Sequence, residues 1–170
     1  MRRAIKAYVR WVDALSYGVG RLAMYLIFVM IGILLLSSIA RTGFNTSFIW
    51  NVEMAQFVMT AYYLLGGGYS MQLDSHVRMD LLYSRWSPKR RAAVDAVTVV
   101  FLIFYLVVLL IGGVSSTQYA LQYGQTNYSS WAPPLAPIKI VMCIGITIML
   151  LQAVATFFKD LERAREDTGA

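Results

Sequence analysis

Charge is scarce in this 170-residue chain: 14% of its residues are Asp, Glu, Lys or Arg and 58% are hydrophobic, whereas a soluble domain carries about 25% charged residues. With a mean hydropathy of +0.58, a soluble globular fold is excluded and a membrane protein is expected. Cysteine occurs once, at Cys143 inside an apolar run, so no disulfide framework and no cysteine-based metal site can be built from this chain. Histidine also occurs once, at His76. Bis-histidine haem ligation is thereby excluded, and a zinc site would have to rest on Asp74 and Asp80 with no second nitrogen or sulfur ligand. No nucleophile stands at a recognisable spacing from a base, so neither enzyme activity nor a cofactor is expected. The net charge of +6 does not mark a nucleic-acid binder, because the basic residues fall in short clusters between apolar runs. A membrane surface suits them better.

Long uncharged runs are what the chain does have. Residues 22–40 and 54–73 contain no charge, and at about 1.5 Å per residue each can cross a hydrocarbon core of roughly 30 Å. The first run exceeds the usual hydrophobic region of a signal peptide and follows a long basic segment, so it reads as a retained span. Residues 96–138 are uncharged throughout, too many for one span; their second part, QYALQYGQTNYSSWAPPLAP, is polar, aromatic and proline-rich and reads as a loop. The third and fourth spans are therefore expected at 96–117 and 140–158, the last bracketed by Lys139 and Lys159. The expected fold is an all-α membrane protein, a single membrane domain of four transmembrane helices.

Basic residues orient it. Thirteen of the fifteen lie before the first span, between the second and third, or after the fourth; only Arg41 and Lys139 lie in the other loops. The positive-inside rule then places both termini, with the tail 159–170, in the cytoplasm. Residues 1–20 repeat apolar positions Ile5, Tyr8, Trp11, Val12 and Leu15 at helical spacing, with Lys6, Arg10 and Asp13 between them. An amphipathic interfacial helix lying on the headgroups is expected there, with a plain basic flank as the simpler alternative.

Several polar or small residues stand out against this background. Glu53 sits at the outer edge of the second span, where a carboxylate compensates a helix N-terminus. A coupling carboxylate is the sharper reading of Glu53, and it supports an alternative: a four-helix proton-coupled exporter acting as a homodimer with Glu53 as coupling group. Gly66, Gly67 and Gly68 interrupt the second span and favour close helix packing over an unwound ion site. In LDSHVRMD, a helical continuation would pair Asp74 with Arg78 and His76 with Asp80 at i,i+4 spacing. Ser87 and Pro88 suit the start of the third helix.

Taken together, WNVE at 50–53, GGGYS at 66–70, HVRMD at 76–80, the basic SPKRR segment and the four-helix layout resemble the small integral-membrane subunit of tripartite ATP-independent periplasmic (TRAP) transporters, the DctQ-like family. The resemblance implies a bacterial inner-membrane scaffold without catalytic function. In that scheme it anchors a large elevator-type subunit holding the sodium and substrate sites, while a periplasmic substrate-binding protein delivers an organic acid or related solute. Trp50, Glu53, His76, Arg78 and Asp80 would then serve subunit or lipid contact.

Overall fold

The computed structural model describes residues 3–73 and 88–166, and these form four α-helices: α1 Arg3–Phe44, α2 Asn51–Gln72, α3 Pro88–Tyr123 and α4 Ala136–Glu166. Three of them, α1, α3 and α4, are long and apolar enough to cross a membrane. The expected four spans thus correspond to three helices that qualify by composition and a fourth, α2, that does not. The reason is its sequence, where Gln56, Thr60, the three glycines, Ser70 and Gln72 dilute the apolar residues. Four helices and a multi-pass membrane protein follow directly.

Helix α1 is longer than either expected segment. The segment expected on the membrane surface and the first span are one helix of 42 residues, about 63 Å long. Nothing between residues 3 and 44 removes a backbone donor, since the stretch contains no proline. Val12, Ser16, Gly20 and Ala23 are buried at successive spacings of four, four and three, so one continuous stripe faces the protein. Trp11, grouped with Val12 by periodicity, is 61% exposed while Val12 is wholly buried.

The loops explain the helix ends. Asn45 takes φ +50° after α1, a left-handed conformation that asparagine tolerates better than most residues. Gly124 takes φ +57° after α3, and the amide of Gln125 donates to the carbonyl of Ala120, closing the helix with a Schellman-type bond. The expected loop therefore loses its first six residues to α3, which runs on to Tyr123 because QYALQY contains no glycine or proline before Gly124. Lys139 ties what remains in place, donating to the Ser116 carbonyl at 3.3 Å and to Gln125 Oε1 at 2.7 Å.

Helix α4 is the centre of the layout. It packs against α1, α2 and α3, while α1 packs also on α2 and α3 is held almost entirely by α4. Leu106, Ile146 and Ala153 form the buried cluster, flanked by Leu102, Leu110, Met142 and Met149. Contacts pairing Leu64 with Gly145, Gly67 with Met149 and Gly68 with Ile148 advance together along both chains, so α2 and α4 run parallel. Gly113 lies against Met142 and Cys143 while Ser116, further along α3, meets Lys139, earlier in α4, so α3 and α4 run antiparallel. The helices thus form a three-helix cluster of α1, α2 and α4, to which α3 is added through α4.

Candidate functional site

Three polar or small-residue features lie in the helix contacts, and none resembles a reaction centre. The first is at the outer end of α2. Trp50 is the residue before the helix, its ring 5.9 Å from that of Phe48, and it makes no side-chain cap. Asn51 and Glu53 are both buried, at 1% and 8% exposure. Among the described residues, Glu53 Oε2 and both amide atoms of Asn51 have no hydrogen-bond partner. A buried polar group left unpaired costs about 1–3 kcal/mol. The helix N-terminus offsets part of that for the carboxylate, because the first-turn N–H groups carry partial positive charge.

The glycine run is the second feature, and its members differ. A side chain at Gly67 would meet Met149 Sδ at 2.7 Å, and one at Gly68 would meet Ile148 Cγ2 at 2.8 Å, whereas one at Gly66 would meet nothing within 4 Å. Two glycines therefore face α4 and the third faces open space. The approach against backbone involves a residue that sequence reasoning passed over: a Cβ at Gly145 would lie 2.8 Å from the Leu64 carbonyl oxygen. Gly20 similarly lies under the Tyr69 ring. Nothing in the local sequence separates Gly145 from Gly32 or Gly112, which have no neighbour.

The third feature joins the N-terminal part of α1 to α4. Lys159 Nζ donates to both carboxylate oxygens of Asp13 at 2.8 Å, Gln152 Nε2 donates to Asp13 Oδ1 at 3.0 Å, and Ser16 Oγ donates to Gln152 Oε1 at 2.8 Å. Gln152 and Ser16 are wholly buried. The Tyr8 hydroxyl adds a bond to the Leu151 carbonyl at 3.2 Å. Such a clasp satisfies every polar group that it brings into an apolar seam, which is the condition for such burial to be tolerated. Periodicity could not find it, since Asp13 and Lys159 are 146 residues apart. Its one visible sign is Gln152, a carboxamide in the middle of an apolar run.

Of the residues singled out from sequence, Trp50 and Glu53 stand together at the start of α2, about 20 Å along the helix from the glycines. His76, Arg78 and Asp80 lie outside the described residues. Among the described residues, no three of His, Cys, Asp or Glu come together.

Comparison with curated proteins finds no match. A family model does match: tripartite ATP-independent periplasmic transporters, DctQ component, over residues 30–163, well over half of the chain. That match starts within α1 and runs through most of α4, so it covers all four helices. The family is a transport component and not a catalytic one. The chain belongs to the DctQ family, the small membrane subunit of TRAP transporters, which works with a large membrane subunit and a substrate-binding protein.

Proposed function

We propose that this subunit is a fixed, non-catalytic scaffold of a sodium-coupled TRAP transporter: it anchors the large elevator-type subunit in the bacterial inner membrane and helps a periplasmic binding protein to dock. The solutes are organic acids or related compounds. The exposed apolar faces of α1 and α3, without charge in their spans, carry this reading. A protein that moved an ion by itself would enclose a path lined by ionisable groups at membrane depth. Here the uncharged runs of α1, α3 and α4 hold no such group. Large apolar side chains stand exposed along the outer helices instead, among them Tyr25 and Phe28 on α1 and Phe101, Phe104 and Ile111 on α3. Helices associate in lipid through close packing and not through apolarity alone, and these faces are where a large partner would seat.

In this reading α2 also crosses, parallel to α4, which places both termini and thirteen of the fifteen basic residues in the cytoplasm. A fluorescent reporter fused to the C-terminus should fold and fluoresce, and an alkaline phosphatase fused there should be inactive. Active phosphatase would reverse the orientation.

The functional test is reconstitution. The chain alone in vesicles under a sodium gradient should move no solute, and together with its large subunit and binding protein it should be required for uptake. Gradient-driven transport by the chain alone would overturn the scaffold reading and favour the Glu53-coupled exporter instead.

A further inference from the structure

A groove of about 450 Å³ runs between α1 and α2, lined by Gly20, Met24, Tyr62, Tyr63, Gly66 and Ser70 among others. We propose that it is a specific site for one anionic phospholipid, whose acyl chain lies in the groove and whose headgroup is held at the basic end of the helices.

Its length fits one leaflet. From Leu73 at the mouth to Tyr62 is half of α2, roughly 16 Å at 1.5 Å per residue, close to half of a ~30 Å hydrocarbon core. A partner helix would need a surface running the whole ~30 Å, and this groove stops halfway. Its floor is open because Gly66 has no side chain and nothing stands within 4 Å of where one would be. Its walls carry unmet polar groups: the hydroxyls of Tyr62, Tyr63 and Ser70 have no hydrogen-bond partner among the described residues. Ser70, one turn of α2 from Leu73 at the mouth, suits the ester and glycerol region of a lipid, while the rings of Tyr62 and Tyr63 flank the acyl chain deeper in the slot.

Charge complementarity selects the headgroup. Arg21 follows Gly20 directly, is exposed, and lies 5.6 Å over the Tyr17 ring; Tyr17 in turn meets Tyr69, another groove residue, at 5.9 Å. No carboxylate pairs with Arg21 among the described residues. An anionic phosphate has a cation waiting, and a planar guanidinium binds phosphate in bidentate fashion.

The proposal rests on α2 crossing the membrane beside α1, as proposed above, and the test separates the two. The full chain in nanodiscs of equal phosphatidylglycerol and phosphatidylcholine is released and weighed by native mass spectrometry. One retained phosphatidylglycerol per chain is expected, preferred over phosphatidylcholine by roughly fivefold. Gly66→Leu, whose Cβ would meet no neighbour within 4 Å and whose side chain enters the groove, should abolish retention, and Arg21→Gln should keep a lipid but erase the preference. Helical content by circular dichroism shows that each variant folds. Equal retention of both lipids, or unchanged retention in Gly66→Leu, overturns the site. So does a Gly66→Leu chain that keeps its lipid but no longer co-purifies with the large subunit, because a partner side chain would then fill the groove. In a Cys143→Ser background, Gly66→Cys should be shielded from a membrane-impermeant maleimide. Labelling there removes both the span and the site, whereas shielding with unchanged lipid retention removes the site alone.

Discussion

Gly145→Leu should be the most damaging single substitution at the α2–α4 contact, lowering stability by about 3 kcal/mol, the upper end of the usual cost of overpacking. The obstacle is backbone: the added Cβ would lie 2.8 Å from the carbonyl oxygen and 2.9 Å from the carbonyl carbon of Leu64. A flexible side chain could swing away; a helix carbonyl cannot. Relief requires α2 and α4 to separate, and α4 is the helix on which the other three pack. Gly66→Ala on the neighbouring helix provides the contrast, since it meets open space and gains about 0.5–1 kcal/mol of helix preference. Thermal unfolding in detergent measures both. Equal melting of Gly145→Leu and the unmodified chain would show that the α2–α4 contact is looser than described.

Asp13→Ala should come next, at about 1–2 kcal/mol. Three hydrogen bonds end on the Asp13 carboxylate, two from Lys159 and one from the wholly buried Gln152. Bonds to a charged group are worth about 1.5–3 kcal/mol when enclosed. The Lys159 and Asp13 side chains are 33% and 25% exposed, and solvent screening reduces the figure accordingly. Asp13→Asn should lose less, because an amide oxygen still accepts from Gln152. Combining Asp13→Ala with Lys159→Met should cost less than the sum of the two, by about 1 kcal/mol. Strictly additive losses in unfolding measurements would mean that the pair contributes nothing.

How far the sequence could be read differed from residue to residue. Uncharged runs at 22–40, 96–117 and 140–158 fall inside helices that are apolar enough to span, because hydrocarbon excludes charge whatever the packing. The end of α3 was not readable so directly: the loop was expected from Gln118, yet the helix continues until Gly124 supplies the left-handed residue that closes it. Polar, aromatic residues such as Gln118 and Tyr119 are compatible with a helix above the membrane, so composition alone could not place the boundary. In GGGYS the sequence marks small residues but not directions, and only the helix rotation sends Gly67 and Gly68 to α4 and Gly66 to the groove.

The sequence by itself determined that this is a helical membrane chain, which segments can enter lipid, and where its basic residues gather, because those depend on transfer of side chains out of water and each residue contributes independently of its neighbours in space. Only the tertiary structure decided that the N-terminal segment docks on α4 through Asp13 and Lys159, that Gly145 sets the distance between α2 and α4, and that α3 stands apart from α1 and α2. Those are relations between residues remote in sequence. In a lipid solvent nearly every apolar face is equally acceptable, so the choice among them falls to close packing and a few polar bonds that no local pattern encodes.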